Sequence, residues 1–152
     1  MLAEQASAKI AYWHLWADDH GATHQTRCEL SDFVLQSMGG KAAAQWNDHL
    51  LSGEASLLFA VLPVGWIGEW HENPKPQWIS VVSGRWFVES TDGTRVEMGA
   101  GDIAFGGDQN AKPDAQGKTG HRSGTVGSAP CALMIVQLDP AVWAGAKPGD
   151  FR

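Results

Sequence analysis

The chain has 152 residues, a formal net charge of −6 at pH 7, and a composition that is 43% hydrophobic and 18% charged. This is the size and balance of one globular domain spanning 1–152. The acidic balance argues against a nucleic-acid partner, and without a run of eighteen apolar residues no membrane span is expected. The N-terminus has no basic start followed by an apolar stretch, so no secretory leader is expected. The only cysteines, Cys28 and Cys131, are far apart and lack CxxC spacing, and read as buried thiols of a cytoplasmic protein.

In chain order, residues 1–16 read as a short helix or an edge strand. "THQTRCELSDFVLQSM", from Thr23 to Met38, alternates like a strand and runs into a Gly39-Gly40 turn. "KAAAQWNDHLL" is compatible with a short helix. The continuous apolar run "ASLLFAVLP" (Ala55 to Pro63) predicts a buried strand. "GWIGEWHE", "QWISVV", "RWFVES", "TRVEMG" and "DIAFGG" follow at strand length, separated by turn residues. Asp92-Gly93 between two such runs is a hairpin signal. Residues 106–120, "GGDQNAKPDAQGKTG", are long and polar for a connection between strands and are expected to form a mobile lid. "HRSGTV" and the apolar "CALMIVQL" (Cys131 to Leu138) come last, and "DPAVWAGAKPGDFR" reads as a loose tail. Many short strands at even spacing predict a sandwich or barrel. Most of the eight tryptophans are assigned to packing.

The chemistry concentrates in "GEWHENPKPQW", Gly68 to Trp78. If 66–73 is one strand, His71 shares a face with Glu69 and Asn73. Pro74 and Pro76 then force a turn, and Gln77 opens the next strand, from which it can return toward His71. His121 can join from a strand late in the chain. That gives a candidate metal set of His71, Gln77 and His121, with Asn73 as a substrate contact and Glu69 as the candidate base beside His71. Arg27 could bind a substrate carboxylate, although an exposed strand arginine is the plainer reading. The cluster His14, Asp18, Asp19, His20 and His24 reads as a solvated turn, because Gly21 breaks helical presentation.

The order of these features resembles the cupin superfamily. Gly65, five residues, His71-Glu72-Asn73, three residues, Gln77, six residues and Gly84 keep the spacing of its first motif, with Asn73 and Gln77 replacing a histidine and a glutamate. Gly101-Asp102 matches the start of the second motif, and His121 is the better match for its histidine once an insertion within 106–120 is allowed. The resemblance covers roughly 55–138, leaving N-terminal strands or a short helix in 1–54 and a tail in 139–152. It implies an all-β, double-stranded β-helix (jelly roll), a pocket inside the barrel and a homodimer. It also implies a divalent metal ion, with zinc, nickel, manganese and iron all open. Without an anionic ligand, such an ion suits a lyase or isomerase acting on a small, oxygenated, acidic molecule. An iron dioxygenase, with Glu69 as the carboxylate, and a metal-free small-molecule binder are the alternatives.

Overall fold

The computed structural model describes residues 8–152, so the reading of 1–7 lies outside the described residues. Strand makes up 47% and helix 3% of the described residues, which places the protein in the all-β class. The strands are β1 (Ile10–Ala17), β2 (Thr23–Leu30), β3 (Val34–Gln36), β4 (Gln45–Asn47), β5 (Ala55–Leu62), β6 (Gln77–Ser83), β7 (Arg85–Ser90), β8 (Arg95–Gly99), β9 (Ile103–Gly107), β10 (His121–Thr125) and β11 (Cys131–Leu138). One short helix, α1 (Pro140–Trp143), follows. A six-stranded sheet has the order β2-β1-β9-β6-β11-β5, and a three-stranded sheet the order β10-β7-β8. β3 and β4 form a separate small hairpin. Isolated bridges Ile67↔Gly124 and His71↔His121 lay the segment after β5 along the free side of β10.

The two sheets face each other across an apolar interior. Leu15, Ile79, Val81, Leu133 and Ile135 of the large sheet pack with Trp86, Val88, Val96 and Met98 of the small one. Each such side chain contributes about 1.5–3 kcal/mol on burial. Strand alternation turns Tyr12, Trp78 and Phe105 to the outside of the large sheet, where Trp143 and Phe151 cover them.

Several local expectations change. β1 is an interior strand, antiparallel to β2 and parallel to β9. "KAAAQWNDHLL" contains β4 instead of a helix, because Trp46 pairs with Leu35 across the hairpin. "ASLLFAVL" is a strand but an edge one, paired with β11 on one side only, so half of its apolar residues face solvent. The tail is anchored: the Asp139 carboxylate caps α1 by accepting from the Ala141 N–H at 2.9 Å, and Trp143 and Phe151 are buried. Residues 106–120 are stitched down. The Lys112 N–H donates to the Gly21 carbonyl at 3.0 Å, and the Thr23 hydroxyl donates to the Gly120 carbonyl. Among the described residues no helix is long and apolar enough to cross a membrane.

Candidate functional site

His71 lies on the bridged segment before β6, and His121 opens β10. Their backbones exchange both hydrogen bonds, His71 N–H to the His121 carbonyl at 3.0 Å and His121 N–H to the His71 carbonyl at 2.9 Å. Directly opposed residues in such a pair share a face, and the two rings sit 4.7 Å apart between centroids. Gly120 allows this approach: its φ is +71°, and a Cβ there would collide with the His71 carbonyl. His71 is exposed and His121 only 6% exposed, so the pair spans the boundary between solvent and interior.

A wholly buried carboxylate holds the inner histidine. Asp108 Oδ2 accepts from His121 Nδ1 at 2.8 Å, while Oδ1 accepts from the Asn73 N–H at 3.0 Å and from Asn73 Nδ2 at 2.8 Å. Burial pushes the Asp108 carboxyl upward, but the His121 and Asn73 hydrogen bonds outweigh it and hold the group below the usual carboxylate range. The network continues with Gln77 Nε2 donating to Asn73 Oδ1 at 2.7 Å and Gln137 Nε2 donating to Gln77 Oε1 at 3.2 Å. On the outer side, His71 Nδ1 lies 2.7 Å from the Glu69 carbonyl. Carbonyl and ionised carboxylate only accept, so each histidine carries a proton on Nδ1, and in the neutral ring Nε2 is the free acceptor.

The structure therefore brings His71 and His121 together and places Asn73 two hydrogen bonds behind His121, through Asp108. Gln77 has both amide atoms engaged, by Asn73 and by Gln137. Glu69 approaches through its backbone carbonyl, and its side chain is exposed. Arg27 is exposed on β2 with its guanidinium 5.2 Å from the Trp13 ring centroid. Among the described residues no cluster of three or more His, Cys, Asp or Glu side chains is placed to hold a metal ion. The donor set available for a divalent ion stops at two neutral nitrogens, one short of the three protein ligands of catalytic zinc sites. That is a poor fit, and no chemical step is assigned to a metal here.

The pocket expected inside the barrel is almost filled. Trp13, Trp86, Met98 and Leu15 close around a cavity of about 20 Å³, with Gln25, Asn73 and His121 as its polar lining. That volume holds about one water, so a ligand must meet the pair from the exposed His71 side. The 520 Å³ trough between the β3–β4 hairpin and the C-terminal segment is open to solvent and is lined by Asp32, Asp48, Trp143 and Phe151, with neither histidine of the pair.

Asp108 is the residue that sequence reasoning missed. It sits in the polar run after β9, where an acid looks solvated, and its contact with Asn73 spans 35 residues. The only local hint is its position directly after Gly106-Gly107, and Gly106 matters because a Cβ there would run into the Asn73 amide.

No family model matches the chain, and no curated protein matches it. Among solved structures it is similar to protein NMB1881 from Neisseria meningitidis, with 19% identity and a TM-score of 0.40 over 61% of this chain and 78% of that one. It is also similar to a cupin protein, BF4112, from Bacteroides fragilis, with 25% identity and a TM-score of 0.41 over 64% of this chain and 75% of that one.

Proposed function

We propose that this chain, an all-β protein of cupin-like fold, is an enzyme that moves protons on a small oxygenated molecule, as a lyase or isomerase does. One observation carries the reading: two imidazoles lie side by side with both Nδ1 atoms committed to acceptors and both Nε2 atoms bare. Such a pair suits removal of a proton at one atom of a substrate and its return at a neighbouring atom. Asp108 keeps His121 in the Nδ1–H tautomer and faces the positive charge that forms when Nε2 takes a proton. His71, at the solvent side, meets the substrate first and supplies the second proton site. The nearly filled interior keeps bulk water away from His121. Glu69, exposed two residues before His71, is within the same segment for proton exchange with solvent. The free thiols Cys28 and Cys131 fit work in a reducing compartment such as the cytoplasm.

With only two nitrogens as donors, a divalent ion held by the pair is the outcome that would overturn this reading.

The test is exchange of solvent deuterium into a panel of small 2-oxo and 2-hydroxy acids, followed by NMR. Exchange that survives chelator treatment and falls at least about 100-fold in both His71→Ala and His121→Ala supports the reading. Exchange lost on chelation, with about one ion per chain found by metal analysis of untreated protein, overturns it in favour of a metal site. No exchange and no bound ion would overturn it in favour of a binding protein.

A further inference from the structure

Among the side chains that line the 20 Å³ interior cavity, Trp86 carries a donor with nothing to bind. It is 5% exposed, and its indole Nε1–H has no hydrogen-bond partner among the described residues. The other donors in that lining are committed. Gln25 Nε2 donates to the carbonyls of Val88 and Thr94, each at 3.1 Å. Asn73 Nδ2 and His121 Nδ1 both donate to Asp108. A phenylalanine at this position would pack in the core without hiding an N–H, and an N–H buried without an acceptor is destabilising. The indole calls for an acceptor supplied from outside the chain.

The register of the small sheet brings this donor and the inner histidine onto one face. In the β10–β7 ladder His121 opposes Ser90 and Thr125 opposes Trp86. Trp86, Val88 and Ser90 alternate along β7 and are all buried, so His121 joins their side. Four residues of strand separate the two positions, about 13 Å of backbone. Both rings line the same cavity, so the two side chains close that span from either end. The space left has the volume of about one water. Leu15, Ile79, Val88 and Met98 complete its wall, and a hydrogen bond to a charged oxygen gains strength in such low-dielectric surroundings.

We propose that Trp86 is the oxyanion-binding residue of the histidine site, and that the substrate class is a small carbonyl compound with a C–H beside its C=O. This rests on the reading of His71 and His121 as proton carriers and deepens it. The carbonyl oxygen enters the cavity and accepts from Trp86 Nε1–H. His121 Nε2 takes the proton from the neighbouring carbon. The electron pair of the broken C–H bond becomes the C=C bond of an enolate, and the C=O π pair moves onto oxygen. Negative charge thus develops on the atom that the indole holds, where a fixed donor lowers the barrier. His121 then returns a proton to carbon or to the enolate oxygen and is neutral again. The carbon chain and any carboxylate stay on the His71 side, because the cavity admits little more than the oxygen.

Two measurements test this, with pyruvate and 2-oxobutyrate as probes. In the first, the probes are titrated into the wild-type chain and the indole N–H resonance of Trp86 is followed by NMR. It should move with at least one of them. In the second, deuterium uptake at the carbon next to the probe's carbonyl is compared between wild type and Trp86→Phe, which keeps a ring in the core and removes the donor. The variant should lose about 100-fold in kcat with KM little changed, the usual cost of one oxyanion donor. A Trp86 resonance that neither probe moves overturns the proposal, and this readout needs no variant to fold. Exchange that runs at the wild-type rate in Trp86→Phe also overturns it, while leaving the histidine chemistry standing. A loss confined to KM overturns the oxyanion role, since the contact is then made equally in the ground state. A shifted indole without exchange supports the carbonyl site and overturns the proton-transfer reading of the histidine pair instead.

Discussion

Three donors converge on the Asp108 carboxylate, which has no contact with solvent. Replacing it with Asn leaves the shape but removes the charge, and it sets an amide donor against either Asn73 or His121. Asp108→Asn should lower any turnover or ion binding at the histidine pair by about 10–100-fold, the usual cost of losing a carboxylate behind a working histidine. Nitrogen NMR of the imidazoles supplies a readout that a purely structural role would leave alone: His121 should become a mixture of tautomers while His71 keeps its Nδ1–H. Gly106→Ala probes the same network from the other side. Its methyl group would displace the Asn73 amide, so Asn73 should lose its bond to Asp108 while the sheets persist, seen as local chemical-shift changes without loss of β signal. At this scale the sequence pointed to His71 through the spacing around GEWHENPKPQW and to His121 through its place before a turn and the last apolar strand. It was silent about Asp108, whose partners arrive from distant strands, and Gln77 was legible only as a residue type, since its engagement with Gln137 depends on β11 lying beside β6.

The C-terminal segment shows how one element can be misjudged from its composition. "DPAVWAGAKPGDFR" has the glycines and prolines of a loose tail, but its two large aromatics do the anchoring. Phe151 stacks on His14 at 6.0 Å with an interplanar angle of 13°, and Phe105 meets the same imidazole edge-on at 5.0 Å. His14 is completely buried, and neither ring nitrogen has a hydrogen-bond partner. Burial lowers its pKa to about 4, and the neighbouring Ala146 backbone and Asp150, which favour the charged ring, do not offset this. The sign follows from linkage. As pH falls below about 6.5 the unfolded ring takes a proton and the folded one does not, so stability is full above that pH and declines toward pH 4. The loss is on the order of 3 kcal/mol across that window. Urea titrations at intervals between pH 7 and pH 4 should show the decline, and His14→Phe should flatten it. The lowered Asp18, Asp92 and Asp108 carboxyls act in the same direction only below about pH 4, so they do not blur the window. Other elements were read well for reasons that are local. The Asp92-Gly93 hairpin between β7 and β8 needs only its own turn residues and the alternation beside them. "ASLLFAVLP" was read as a strand, but the exposure of its outer face depends on which neighbours the topology gives it.

For the whole molecule, the all-β class was visible in the spacing of apolar runs and turns, while strand number and sheet order were not: Thr23 to Met38 holds two strands, and "GWIGEWHE" forms only isolated bridges. Alternation says which side chains share a face, but nothing local says that β1 lies between β2 and β9, or that β11 lies between β5 and β6. That second insertion has a consequence for how the chain acquires its structure. Strand β5 has one neighbour in its sheet, and that neighbour is the last strand to be made. During synthesis β5 must wait, apolar and unpaired, and β6 keeps one side open beyond β9, until Cys131–Leu138 leaves the ribosome and slots between them. Long-range pairing of this kind is slow to form and exposes sticky intermediates. A chain ending at residue 130 should therefore aggregate rather than fold, whereas one ending at residue 138 should keep a β-rich circular dichroism spectrum at reduced stability. Refolding of the full chain followed by pulsed hydrogen exchange should protect the β7–β8 hairpin first and β5 last, which leaves this apolar strand open to chaperones until the moment the sheet closes.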